Sequence, residues 1–463
     1  QIIGQFLAET VLILSLSIIL GLFFAILFIV PQFRSLFSFY DFGFQDLNGL
    51  NLIIALILIL FGMSAIAGIY PALYNSKQRP VALVKGFVKL KGNNWFTRSL
   101  VSLQFAVSII FLIAGIFFVK NIGFQEQIDF GYNKENLMVL SVDGEQTYEV
   151  MKNRIEQMPK VSAVGGTYSH VGLNSYGGQV ELRENTYQVG LLGIGANYLP
   201  TMNFEMIQGK GFKPIAASVI EGPDLIVNQA FIEKTELDNP LGETVQVHEF
   251  KGRIIGVVQN HLDGLSDPKS AKPFVYYQTG SKTFKYLAIR ANAKHLASLQ
   301  NDIIKIWKTE FPAKPFNIRR QDEVLLGPHR INSEIFGKVF IFLTVLGVLM
   351  SISGIYSMAS QNIAKRKKEI GIRKILGANV GNIMILLNRE FTWVLGLAAI
   401  VGALGGRFLT DTLLSFMVTH HIPVGLLPVI VCALFIFSTG IFTTSSSILK
   451  AAYTNPVDSL KSE

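Results

Sequence analysis

Lys365-Arg366-Lys367-Lys368-Glu369-Ile370-Gly371-Ile372-Arg373-Lys374-Ile375-Leu376-Gly377-Ala378 is the stretch on which the reading of the fold turns. Ile372, Ile375 and Leu376 recur at helical spacing, the cations supply a polar face, and Gly377 is suited to stop a helix. The stretch sits between two apolar runs, 335–358 and 383–404. Each run has the roughly 20 residues needed to cross a hydrocarbon core about 30 Å thick. A basic amphipathic segment between two such runs predicts a short helix lying along a membrane surface.

Working outward, four more runs qualify as spans: 6–30, 50–70, 100–119 and 424–447, six in all. The 463 residues are 50% hydrophobic and 16% charged, against about 25% charged in an ordinary soluble domain. That excludes a simple water-soluble chain and a disordered, collagenous or coiled-coil one. The net charge of +9 is not spread evenly. Lys77, Arg79, Lys85, Lys89, Lys91 and Arg98 fill the second loop without an acid, and the 365–374 cluster fills the fourth. Basic loops stay cytoplasmic, which puts both termini inside and the long segment 121–333 outside, in the periplasm. The excess is thereby absorbed by topology, and no nucleic-acid partner is expected. Cys432 is the single cysteine, so neither an intrachain disulfide nor a thiolate metal site is available.

The segment between the third and fourth spans reads as a folded α+β domain. Strand-like runs occur at 137–142, 225–227, 253–258 and 274–277, and helical periodicity at 146–157 and 293–307. Turn signals are Gly165-Gly166, Gly177-Gly178, Asn239-Pro240-Leu241-Gly242 and Asp267-Pro268. The fold expected is therefore an α-helical membrane protein with six transmembrane helices and a large α+β extracytoplasmic domain. Its divisions are 1–86, the last two spans of a first repeat; 87–120, the first span of a second; 121–333, the outer domain; and 334–463, three spans with the surface helix at 364–378.

The repeat rests on two tails. Pro80-Val81 leads to Val84-Lys85 after the second span, and Pro456-Val457 to Leu460-Lys461 after the sixth. The first and fifth spans also align, with Glu9 matching Glu390. Two copies of unequal length predict that the native chain extends N-terminally by a helix, an outer domain and a helix.

The 365–378 string resembles the hallmark of the FtsX-like ABC permeases of MacB type. There a Lys/Arg-rich lead into Glu-Ile-Gly-Ile-Arg-Lys-x-Leu-Gly-Ala forms the coupling helix on which the nucleotide-binding subunit docks. Asn239-Pro240-Leu241-Gly242 resembles a turn of MacB-like periplasmic cores, and the layout resembles duplicated permeases of the Bacteroidetes type. The resemblance implies an outer domain of MacB-periplasmic-core type and a permease of the inner (plasma) membrane. It implies mechanotransmission for export or efflux, driven by an ABC ATPase subunit. ATPase docking would fall to Arg366, Lys367, Lys368, Glu369, Ile370, Gly371, Ile372, Arg373, Lys374, Leu376, Gly377 and Ala378. Besides the lipid bilayer, a periplasmic adaptor or an outer-membrane channel is a further partner class. Two other readings are an FtsX-type regulator of cell-wall hydrolases and a membrane receptor with an outer ligand domain.

No catalytic, cofactor or metal residues are expected. No Gly-x-x-x-x-Gly-Lys-Ser/Thr loop occurs, so ATP hydrolysis is assigned to another polypeptide. His170, His248 and His261 lack metal-ligand spacing and are expected as ordinary surface or loop residues. Ser169 lacks a nucleophile elbow. Glu9 and Glu390 suit helix N-termini, and Arg407 is expected to pair with Asp411 one turn on. Gly347, Gly354, Gly396, Gly402, Gly405 and Gly406 are expected to let helices approach closely.

Overall fold

A backbone in hydrocarbon has no water to bond, so apolar runs of this length close into helices. The computed structural model describes residues 2–31, 49–76, 95–173, 176–214, 224–247, 250–264, 271–418 and 420–452. Both Pro-Val tails of the repeat, the basic loop at 77–94, His248 and Asp267-Pro268 lie outside them. The chain divides into two compact units, Gln1–Ser99 and Leu100–Glu463. The first contains α1 (Ile2–Phe24), continued by a π-helical turn at Ala25–Ile29, packed on α2 (Gly49–Ser76).

The second unit is reached through α3 (Trp95–Glu126), which runs into a mixed α/β head. In chain order the head contains β1 (Leu137–Ser141), α4 (Glu145–Glu156), β2 (Val161–Thr167), β3 (Tyr176–Leu182), β4 (Asn185–Ile194) and α5 (Tyr198–Met202). It continues with β5 (Met206–Gly209), β6 (Asp224–Asn228), α6 (Gln229–Thr235), β7 (Thr244–Val247) and β8 (Phe250–Val258). β9 (Phe274–Gln278), β10 (Tyr286–Ala291), α7 (Leu296–Glu310) and β11 (Ile318–Arg320) complete it. The chain returns through α8 (Gln321–Lys365), α9 (Lys367–Ile375), α10 (Val380–Met417) and α11 (Leu426–Ala452).

The strands pair in the order β11-β1-β10-β2-β4-β3-β7-β8-β6-β9, and β9 also pairs in parallel with β4, from Gly190↔Phe274 to Ile194↔Gln278. That last pairing closes six strands into a ring around Val180, Leu225, Val245, Ile254 and Val275. The four flanking strands are covered by α4 and α7, whose Met151, Ile155, Leu299, Ile303 and Trp307 form a second core. A third core joins the head to the membrane helices. Phe130, Tyr198, Phe274 and Tyr276 meet Leu325 and Leu326 of α8, and Val418, which follows α10.

Asn239-Pro240-Leu241-Gly242 does turn, with Gly242 at φ +93°. The other two glycine pairs do not. Gly165-Gly166 lies inside β2 and Gly177-Gly178 inside β3. A Cβ on Gly166 would stand 2.4 Å from the Phe284 ring, and one on Gly165 2.7 Å from Tyr198 Cα. These β2 glycines make room for neighbours rather than for a reversal.

Five helices among the described residues are long and apolar enough to span a bilayer, and α2 adds a shorter apolar stretch at Gly49–Ala65. The fourth span begins far earlier than its apolar run suggests. α8 starts at Gln321 and has 45 residues, about 68 Å at 1.5 Å per residue. Arg320 N–H donates to Glu323 Oε2 at 3.3 Å in its first turn, and Pro328 is accommodated inside the helix.

α3, α8, α10 and α11 share one apolar core, including Phe105, Ile109, Ile355, Phe391, Leu395 and Ile436. Gly402 and Gly406 bring α10 close to α3. Cβ atoms there would stand 2.8 Å from Ile109 Cβ and 2.6 Å from Ile113 Cδ1. Gly347 is equally tight against Ser108, whereas Gly396 faces open space and plays no such part. Arg407 and Asp411 are both exposed and form no ion pair among the described residues.

His170 and His261 are not surface residues. Both are buried in the head, where Tyr198 and Tyr276 hydroxyls stand 3.0 Å from their Nδ1 atoms. Burial lowers the His170 pKa to about 4 and that of His261 to about 3. Aromatic neighbours supply the apolar surroundings, Phe274 at 4.5 Å from the His261 ring centroid among them.

Candidate functional site

The 365–378 string folds as a helix with sharp breaks on both sides. α8 ends at Lys365; Arg366 caps it, its N–H shared between the Asn362 carbonyl at 3.2 Å and that of Ile363 at 3.1 Å. The chain then turns into the nine residues of α9. Its stop follows from Gly377, at φ +86°, with Ala378 N–H reaching back to the Arg373 carbonyl at 2.9 Å. That is the six-to-one bond of a Schellman ending, which asks for a residue without Cβ at the left-handed position. Asn379 then caps α10 by accepting Asn382 N–H at 2.9 Å.

α9 presents two faces. Ile370 packs against Ile383, Leu387 and Ile448, which fixes the helix to α10 and α11, and Gly371 is buried. The opposite stripe is open: Ile372, Ile375 and Leu376 are 51%, 64% and 80% exposed. Glu369 pairs with Arg373 at 2.9 Å across one turn, both half-exposed. The predicted stripe is therefore the face turned away from the bundle, rimmed by a cation and its partner acid.

Arg366 has a partner within the bundle. Its guanidinium turns inward to Glu390 at 2.5 Å, where both side chains are about one-third exposed. Glu390 is ten residues past the start of α10 and so answers this cation rather than a helix N-terminus. Sequence reasoning missed the pairing because two polar side chains 24 residues apart carry no shared periodicity. Lys367, Lys368 and Lys374 lie on α9 or at its start by their backbone. Arg366, Glu390 and Ile370 hold an exposed apolar knob at the end of a long helix.

Two family models match. The FtsX-like permease C-terminal model matches residues 341–456, and the MacB-like periplasmic core domain model residues 102–306. The chain is similar to "Macrolide export ATP-binding/permease protein MacB 1" of Aeromonas hydrophila, at 21% identity over 287 residues, 57% of this chain and 43% of that protein. It is also 22% identical over 244 residues to an uncharacterized ABC transporter permease of Methanocaldococcus jannaschii, covering 48% of this chain and 58% of that one. It thus spans about half the length of these relatives. The periplasmic region of MacB from Actinobacillus actinomycetemcomitans is similar in structure over 42% of this chain and 92% of its own, at 16% identity and a TM-score of 0.31. With one model on the head and its entry helix and the other on the helices that carry the site, the chain is a multi-pass membrane protein of the FtsX/MacB-like permease family.

Proposed function

We propose that this chain is the permease subunit of an ABC system and works by mechanotransmission. A separate nucleotide-binding subunit docks on α9, and its ATP cycle moves α9, α8 and α3, which carry the displacement to the head. The basic loops support a topology with α9 in the cytoplasm and residues 121–333 outside, in the periplasm where the membrane is an inner one. Export or efflux is the activity this layout serves, with a periplasmic adaptor or outer-membrane channel as the receiving partner. One observation carries the reading: a rigidly held helix exposes Ile372, Ile375 and Leu376 at one end of a 45-residue helix whose other end is inside the head. The spans offer little else, since intramembrane charges normally mark an ion or substrate path and these helices are almost uniformly apolar.

The test is co-purification of the full chain with its nucleotide-binding subunit, followed by Leu376→Asp, Gly371→Pro and Arg373→Glu. Leu376→Asp and Arg373→Glu should weaken the complex by about tenfold or more, as loss of an interface anchor does. Unchanged complex formation and unchanged ATPase coupling in all three variants would refute docking on α9.

A further inference from the structure

Gln321 opens α8 and is fully buried. Its amide nitrogen donates to the Tyr132 hydroxyl at 2.8 Å and to the Val171 carbonyl at 3.1 Å. Its amide oxygen is 2.7 Å from His170 Nε2. A carbonyl only accepts, so Val171 fixes which end of the amide faces it, and the amide oxygen must then receive a proton from His170 Nε2. That leaves His170 Nδ1 to accept from the Tyr198 hydroxyl at 3.0 Å, while the Tyr198 oxygen takes the Val171 N–H at 3.3 Å. Every proton shared among Gln321, His170 and Tyr198 has one place. Burial keeps His170 neutral, as this arrangement requires.

The four side chains belong to four parts of the chain. Tyr132 follows α3, His170 follows β2, Tyr198 opens α5, and Gln321 opens α8. One amide therefore ties the start of α8 to the head, at the segment that follows α3 and at the segment that follows β2. One turn further along α8, Leu325 and Leu326 pack into the same core. Apolar packing is non-directional and tolerates rotation and sliding; hydrogen bonds to fixed acceptors do not.

We infer that Gln321 is a positioning residue that sets the angle between α8 and the head, with His170, Tyr132 and Val171 as its fixed partners. The inference deepens the mechanotransmission reading. A displacement of α8 moves the head only if the joint between them is stiff, and this amide stiffens it.

The experiment uses the full chain in lipid nanodiscs with Cys432→Ser and spin labels at Lys308→Cys on α7 and Lys338→Cys on α8, both exposed positions. Pulsed EPR without nucleotide and without any ATPase reads the spread of head orientations. The unaltered chain should give one narrow distance, and Gln321→Met, which keeps side-chain length and removes the amide, a broad or bimodal one. Tyr198→Phe, which deletes a single hydroxyl, should give an intermediate width. Leu325→Ala should lower stability while leaving the width unchanged, which separates positioning from mere support. Emission from Trp307 in the head, with Trp95→Phe and Trp393→Phe removing the other two tryptophans, reports folding of each variant. A Gln321→Met distribution as narrow as the unaltered chain's, or equal broadening by Leu325→Ala, would overturn the inference. Because no ATPase is present, failure of α9 docking leaves this test standing. With the ATPase added, Gln321→Met should keep the hydrolysis rate and lose the nucleotide-driven change in distance.

Discussion

Acidification should unfold the head through its two buried histidines, and the size of the effect follows from their surroundings. An unfolded histidine titrates near 6.5, whereas His170 and His261 in the folded head titrate at about 4 and about 3. Both folded values are depressed, so neither residue affects stability well above 6.5. As pH falls through 6.5 the unfolded state takes up protons that the folded state refuses, and stability is lost until the folded values are reached. Between about pH 7.5 and about pH 5 each contributes a loss of about 2 kcal/mol, together about 4 kcal/mol, a large share of the stability of a typical domain. Near pH 5 the slope approaches two protons, roughly 2.7 kcal/mol per pH unit. The Lys160 ammonium holds the Asp302 carboxyl below its usual range, so that group acts only at lower pH. The assay is urea unfolding of the full chain read by Trp307 emission, with Trp95→Phe and Trp393→Phe removing the other two tryptophans. His170→Gln and His261→Gln should each remove about half the slope, whatever they do to stability at neutral pH. A flat profile from pH 7.5 to 5, or a slope that survives in the double variant, would refute the reasoning.

Glu390→Gln should free Arg366 at a cost on the order of 1 kcal/mol, the pair being only partly buried; amide exchange across 367–376 would then quicken about fivefold. Gly377→Ala forces a Cβ into the left-handed region at a cost of about 1–2 kcal/mol, seen as fraying of α9 in the same exchange experiment, while α10 stays protected. Gly406→Leu should separate α3 from α10 and lower the thermal midpoint in detergent, overpacking typically costing about 1–3 kcal/mol. Gly396→Leu, with nothing within 4 Å of the new Cβ, should leave that midpoint unchanged.

What was legible in the sequence is what periodicity and length encode. The apolar runs, the mixed head and the short helix at 367–375 are local patterns that form as helices and strands where their residues lie, although α8 begins well before its apolar run. The remainder depends on partners remote in sequence. His170 reads as an ordinary polar residue until Gln321, 151 positions away, supplies its acceptor. The glycine pair at 165–166 imitates a turn because a glycine needed for a close neighbour looks the same as one needed for a reversal. Gly327-Pro328 conceals the first two turns of α8, which packing of Leu325 and Leu326 in the head sustains. Arg366 reads as one more cation in a basic run; only the fold brings Glu390 to it.

The unbroken course of α8 also gives the molecule a screw phase. Because one helix is held at Gln321 and again at Arg366, inserting a single residue between them would turn one end about 100° against the other while lengthening it by only about 1.5 Å. Seven residues would nearly restore the phase and add about 10 Å. Bilayers of different thickness are thus matched in whole pairs of turns, and the spacing from hinge to crown comes in discrete sizes.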